Sequence, residues 1–417
     1  WGHARNVQRL TIPSKGRLVI VGDTHGQLED VLWIFFKYGP PTATNQYLFN
    51  GDIVDRGGHA LEILLLLFAL KRDLPDSVHI LRGNHEDSQM SATFGFQAEL
   101  ESKFTRNEEG SWLLRFCVTK VFPYMPLCAL VSDRKQARTV AVLHGGIPVN
   151  IPGQRAPVLI NTDIEGIVRM VPTCVVKGNT YAEHVFYGMM WADPQIGAAT
   201  GKPGRGNPFN ESATMQFCSA NQIAQLVRSH QPPDDLGFNG EGYCSVHGGR
   251  CLTVFSASNY CGSIGNKGAV LLCSDDSFGS KGISPSDHWA PAWPDLSRIL
   301  SMHYNNQIGD YQKTVLEAED RARMNIMGVG MPNPTGSFVS APGSTPAALK
   351  NSPSPSPQNS TPALQQVEKQ VAERICKKKM DLLKAFERAD ARKVMEVSRS
   401  TWTAIMSQQL AEVPAVW

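Results

Sequence analysis

Leu18-Val19-Ile20-Val21-Gly22-Asp23-Thr24-His25-Gly26 is the stretch on which the reading of this chain turns. A short apolar run bounded by glycine reads as a strand, and it stops where two polar residues of metal-ligating type, Asp23 and His25, begin. The same arrangement recurs. Tyr47-Leu48-Phe49 precedes Asn50-Gly51-Asp52, and Val78 to Leu81 precedes Arg82-Gly83-Asn84-His85-Glu86. Thr139 to Leu143 precedes His144-Gly145-Gly146, Gln225 to Arg228 precedes Ser229-His230, and Leu252 to Phe255 precedes Ser256 to Tyr260. Helix-like stretches, Leu28 to Tyr38 and His59 to Leu74, separate the first strands. Strand, helix, strand, helix, strand indicates an α/β sheet. Sites in such sheets lie at the carboxyl ends of the strands, so these loops are expected to converge.

Composition sets the outer limits. The 417 residues carry 40 Lys and Arg against 38 Asp and Glu, a net charge of +2. That balance argues against a generally basic nucleic-acid binder. The longest apolar run, Ile63 to Leu70, is eight residues, far short of the roughly 20 needed to cross a bilayer. Nine scattered cysteines without a CxxC pair fit reduced thiols and a cytoplasmic or nuclear location better than a disulfide framework. The chain opens at Trp1 without a signal-like segment, and we read it as lacking its natural N-terminus.

Singly, each polar residue has an ordinary explanation: Gly51-Asp52 a turn, a histidine after an apolar run a hydrogen-bonded structural residue, Arg56 a surface cation. Jointly they do not. Carboxylate, imidazole and amide oxygen at several strand ends are more donors than one ion needs, and a carboxylate can bridge two ions about 3.5–4 Å apart in a hydrolytic site. Glycines flank these residues because the chain must turn tightly there.

Gly22-Asp23-Thr24-His25-Gly26, Gly51-Asp52-Ile53-Val54-Asp55-Arg56-Gly57 and Arg82-Gly83-Asn84-His85-Glu86 resemble the three signature motifs of the phosphoprotein phosphatase family. His144-Gly145-Gly146, Trp191-Ala192-Asp193-Pro194, Arg228-Ser229-His230 and Ser256-Ala257-Ser258-Asn259-Tyr260 are similar to its later blocks, so the resemblance covers about residues 10–275. It implies a metallophosphoesterase-like β-sandwich flanked by helices and a serine/threonine protein phosphatase acting on phosphoproteins. It also implies two metal ions (manganese, iron or zinc), with Asp23 and His25 on the first, Asp52 bridging, and Asn84, His144 and His230 on the second. A water or hydroxide between the ions would attack phosphorus directly. His85, oriented by Asp55, would protonate the leaving oxygen, Arg56 and Arg205 would bind phosphate, and Tyr260 would stand at the mouth. Arg205-Gly206 is followed by an atypical Asn207-Pro208-Phe209-Asn210. Two alternatives are another metallophosphoesterase, acting on nucleotides or small phosphate esters, and a catalytically inactive scaffold.

Asp87, Ser229 and Ser256 resemble the EF-hand-containing, retinal-degeneration-C type branch, whose members carry a calmodulin-binding segment before the catalytic domain. Calmodulin or another regulator, reached through a segment before Trp1 or through the C-terminal tail, is the partner this implies. The catalytic domain is expected over 1–310, a domain-end extension over 311–330, a Pro/Ser-rich disordered linker over 331–362 (eight prolines) and a helical tail over 363–417. Aligning Phe386 and Trp402 on flanking helices puts Asp390, Arg392, Val394, Met395, Ser398 and Thr401 at positions 1, 3, 5, 6, 9 and 12 of an EF-hand loop. One carboxylate cannot hold the ion, so calcium is not expected to bind, and the tail reads either as a degenerate EF-hand or as an ordinary helical hairpin.

Overall fold

Runs of residues that are apolar at every position, such as Leu18 to Val21, can be buried only if both faces of their strand are covered. The computed structural model describes residues 5–290 except 105–106, 155, 168–179, 198–205, 239 and 263. Its strands are β1 (Val7–Thr11), β2 (Arg17–Val21), β3 (Asn45–Phe49), β4 (Val78–Ile80), β5 (Cys128–Ser132), β6 (Thr139–Leu143), β7 (Gln225–Arg228), β8 (Tyr243–Val246), β9 (Cys251–Val254), β10 (Gly268–Ser274) and β11 (Ser284–His288).

These strands do not form one sheet, as the strand–helix alternation alone suggested, but two. One has the order β1-β5-β6-β7-β9-β8 and the other β11-β10-β2-β3-β4. Both are mixed: β2, β3 and β4 run parallel, as do β6, β7 and β9, while β10 is antiparallel to β2 and to β11. The sheets pack face to face. Along β2, Leu18 and Ile20 point into a core shared with Val140 and Val142 of β6, Val227 and Val254. Val19 and Val21 point the other way, into a core with Val31 and Ile34 of helix α1 (Leu28–Tyr38) and Ile63, Leu64 and Leu67 of helix α2 (Ala60–Asp73). Helices α3 (Ser88–Phe94), α4 (Phe96–Lys103) and α5 (Asn107–Phe116) follow β4, and Phe96 and Leu100 of α4 join this second core. On the far side, Ala141 and Leu143 pack with Val185 and Met189 of α6 (Tyr181–Trp191) and Phe217 of α7 (Glu211–Ala220). The result is the helix-flanked β-sandwich that the family resemblance implies. No helix among the described residues is long and apolar enough to cross a membrane. The linker over 331–362 and the tail over 363–417, with its EF-hand alignment, lie outside the described residues, as do residues 291–330.

Candidate active site

Strand ends from both sheets meet at one place. Asp23 and His25 follow β2, Asp52, Asp55 and Arg56 follow β3, and Asn84 and His85 follow β4. His144 follows β6, His230 follows β7, and Tyr260 lies in the turn after β9. A parallel bridge between Asp23 and Phe255 ties the two sheets together beside it. The loops approach backbone to backbone: a Cβ on Gly51 would lie 2.3 Å from the Gly83 nitrogen, so no side chain fits there. His25, Asp52, Asp55, Arg56, His230 and Asn259 all have positive φ, between 42° and 72°. Non-glycine residues enter that region at a cost and cluster at functional sites.

Asp52 is central. Its Oδ2 lies 3.5 Å from His25 Nε2 and 4.0 Å from His85 Nε2, and its Oδ1 lies 3.2 Å from His144 Nε2. Ligand atoms of His25, Asp52 and His85 fall within 4.8 Å of one another, as do those of Asp52, His144 and His230. Asn84 Oδ1 is 2.9 Å from His144 Nε2 and 2.9 Å from His230 Nδ1. His25 Nδ1 meets the Val54 carbonyl and His144 Nδ1 the Asn50 carbonyl, each at 2.9 Å. A carbonyl only accepts, so each Nδ1 carries a hydrogen and each Nε2 is the nitrogen turned inward, the one a neutral metal-binding histidine offers to an ion. Asp23 Oδ1 accepts from the His230 backbone N–H at 3.0 Å. Its Oδ2, 3.8 Å from His25 Nε2, is buried and makes no hydrogen bond among the described residues.

This charge distribution fits metal ions. Asp23 and Asp52 are at most 1% exposed. Burial, and then the charge of Asp52, push the Asp23 carboxyl up. Burial also opposes ionisation of Asp52, yet His144 and His85 hold its carboxyl well below the usual range. Burial, and then His85, lower His25 to about 3, whereas His144 is carried up to about 9 by Asp52 against the pull of burial. Oxygens crowd His144 on both ring nitrogens, so the pocket demands positive charge that a proton or a cation can supply. Carboxylate, imidazole and amide donors suit borderline and hard transition metals.

Beside this set, His85 Nδ1 and Asp55 Oδ2 are 2.6 Å apart, and Asp55 Oδ1 accepts from Phe96 N–H at 2.9 Å. The Arg56 guanidinium is exposed and stands 4.2 Å over the Phe94 ring. Tyr260 stacks on His25 with ring centroids 5.1 Å apart. Of the residues anticipated from sequence, Asp23, His25, Asp52, Asp55, Arg56, Asn84, His85, His144, His230 and Tyr260 are thus brought together, and Arg205 lies outside the described residues.

Several supporting residues lie within the quoted motif blocks but are given no role by the sequence reading. The Glu86 carboxylate accepts from four backbone N–H groups: Asp52 and Gly83 on Oε2 at 2.9 and 2.8 Å, and Ile53 and Val54 on Oε1 at 2.8 and 3.3 Å. Buried Arg228 holds Asp193 at 2.9 Å and the Gly145 carbonyl. Asp193 in turn lies 3.9 Å from His230 Nε2. A charged residue inside an apolar or glycine-rich block is the cue that singles them out, since it must be paired to be buried.

Residues 16–234, more than half of the chain, match the family model described as Calcineurin-like phosphoesterase. Serine/threonine-protein phosphatase T of Schizosaccharomyces pombe is 38% identical over 271 residues, covering 64% of this chain and 51% of that protein. Serine/threonine-protein phosphatase 5 of Rattus norvegicus is 35% identical over 269 residues, covering 63% of this chain and 47% of that protein. The chain therefore spans about half the length of these curated relatives. Among solved structures, a serine/threonine phosphatase from Saccharomyces cerevisiae with similarity to human phosphatase PP5 superposes with a TM-score of 0.57 at 29% identity. It covers 70% of this chain and 86% of that one. On these matches, and on the two-sheet fold whose strand ends bear the motifs, the chain belongs to the calcineurin-like phosphoesterase family and, within it, to the phosphoprotein phosphatases.

Proposed function

We propose that this chain is a metal-dependent serine/threonine protein phosphatase that hydrolyses phosphoserine and phosphothreonine in proteins. The observation that carries the reading is the 2.6 Å His85–Asp55 pair, set between the buried Asp52-centred donors and the exposed Arg56. Asp23, His25 and Asp52 would hold one ion, and Asp52, Asn84, His144 and His230 a second. Manganese, iron or zinc suits these donors. When bound, the ions supply Lewis-acid charge to phosphate oxygens and acidify water to give the nucleophile.

The chain's own residues do the rest. The Arg56 fork, backed by the Phe94 ring, receives phosphate oxygens in a planar, two-point contact. Asp55 takes the Nδ1 hydrogen of His85 and so directs Nε2 toward the leaving oxygen. A proton delivered from Nε2 lets serine or threonine depart as a neutral alcohol. Tyr260, half-buried against His25, borders the phosphate position, and Arg205 is a second phosphate contact in this proposal. Placement in the EF-hand-containing branch rests on Asp87, Ser229 and Ser256 and belongs to the same proposal.

Turnover of a phosphoserine/phosphothreonine peptide panel with added Mn²⁺, Fe²⁺ or Zn²⁺, set against dinucleotides and nucleotide monophosphates, tests it. Preference for the peptides is expected. Preference for nucleotides would assign the chain to a different phosphoesterase activity, and no hydrolysis with any metal would leave a scaffold.

A further inference from the structure

Asp30 and His288 are each 1% exposed and belong to no part of the donor set. Asp30 sits in the first turn of α1, and His288 is the last residue of β11, the edge strand of its sheet. His288 Nε2 lies 3.0 Å from Asp30 Oδ1 and 3.0 Å from the Ser256 carbonyl oxygen. A carboxylate and a carbonyl only accept, so Nε2 carries the hydrogen and shares it between them. Asp30 Oδ2 accepts from the Ser258 backbone N–H at 3.2 Å and from Gln27 Nε2 at 2.8 Å, and Gln27 Nε2 also donates to Ser258 O at 2.7 Å. Just past His288, the Ala290 N–H donates to Ser258 Oγ at 3.2 Å. Room for the imidazole comes from Gly268, where a Cβ would lie 2.4 Å from both His288 Nε2 and Ser256 O.

The start of α1 and the end of β11 therefore close on Ser256–Ser258 from two directions. That short stretch leads into Asn259, at φ 46°, and then Tyr260, whose ring stacks on His25 and meets Phe255 edge-on at 5.0 Å. Backbone pairing with β10 already secures β11 in the sheet, so the buried imidazole–carboxylate bond is not needed for strand pairing. What it adds is a fixed stance for the turn that carries Tyr260.

We propose that His288 is a positioning residue: through Asp30 and the Ser256 carbonyl it clamps the Ser256–Ser258 turn and so holds Tyr260 against the catalytic centre. This rests on the phosphatase reading above, and it makes the C-terminal edge strand a determinant of activity although it supplies no group to the centre.

The test compares wild-type chain with His288→Leu, His288→Gln, Asp30→Asn, Tyr260→Leu and the His288→Leu/Tyr260→Leu double variant. Amide hydrogen exchange is followed over residues 256–266 and kcat/KM on a phosphothreonine peptide. Exchange over 256–266 should quicken in His288→Leu, and kcat/KM should fall between about tenfold and 10²-fold, as for other small misplacements of an active-site group. Gln keeps an N–H donor and should restore most of both. The double variant should lose little beyond Tyr260→Leu alone, because both changes remove the same contact. A His288→Leu variant with unchanged exchange, with kcat/KM within about twofold of wild type, or with a loss fully additive to that of Tyr260→Leu would overturn the clamp. If His288→Leu does not fold, Asp30→Asn, which leaves the strand intact, decides by the same criteria. If the wild-type chain hydrolyses no phosphate ester, the phosphatase reading fails, and the exchange comparison by itself decides the clamp.

Discussion

Replacing Glu86 by glutamine should unseat the loop that carries Asp52 without removing any candidate ligand. The Glu86 carboxylate is fully buried, and burial, then the charge of Asp52, push its pKa up. Four backbone N–H groups hold it in place, two on each oxygen. An amide of the same shape can accept on one oxygen only. Whichever way it turns, its NH₂ faces two N–H donors, so two bonds are lost and donors confront donors. A hydrogen bond to a charged acceptor contributes about 1.5–3 kcal/mol, which places the cost at about 3–6 kcal/mol. A folded domain has about 5–15 kcal/mol in hand, so the variant should still fold. Urea unfolding should give that difference in ΔG, and melting should fall by roughly 6–24 °C. Because Asp52 N–H is one of the released donors, kcat/KM should fall at least about 10²-fold. Glu86→Ala should be worse, as it leaves all four donors without an acceptor. A Glu86→Gln variant within about 1 kcal/mol of wild type would refute the argument that this carboxylate organises the loop.

His85→Asn should lower kcat by about 10²–10⁴-fold with little change in melting temperature, since it removes one proton donor from a preformed site. Near-wild-type turnover would end the general-acid assignment. Treatment with a chelator should abolish activity and lower the melting temperature, both restored by Mn²⁺, because ions bound at about 100 times their Kd add about 2.7 kcal/mol; an unchanged melting curve counts against ions between Asp23 and His230. His79, 8% exposed, is lowered by burial, then by Lys71, from 6.5 to about 4. Above pH 6.5 folded and unfolded chains are both neutral there. As pH falls toward 4 only the unfolded chain takes up the proton, so at pH 5 folding loses about 2 kcal/mol. His79→Gln should remove that part of the acid sensitivity, and equal pH slopes for variant and wild type would contradict it.

The strands legible in the sequence are those that lead into the motif blocks carrying Asp23, Asp52, Asn84, His144, His230 and Tyr260. Helix α1 and strands β6 and β7 match their anticipated limits residue for residue. Strands β1, β5, β8, β10 and β11 lead into none of those blocks, although β5, β8 and β10 are followed by Asp133, His247 and Asp275 and β11 ends in His288, and their pairing is long-range: β1 lies beside β5, and β10 between β2 and β11. The lone Ser-Pro-Ser-Asp-His stretch of β11 is a strand only because β10 offers it partners.

Local chemistry decided which residues could serve. Gly22 to Gly26, Gly51 to Gly57 and Arg82 to Glu86 place donors directly after apolar runs, and neighbouring positions alone suffice to show it. Tertiary structure decided how those donors stand. Whether Asp52 faces two histidines or three, which nitrogen of His25 and His144 faces inward, and that Glu86 binds the amides of Asp52, Ile53 and Val54 all depend on groups 27 to 94 residues apart in the chain. Such relations are set by where two sheets cross and by what the packed core holds in a strained backbone, and a linear pattern has no term for either.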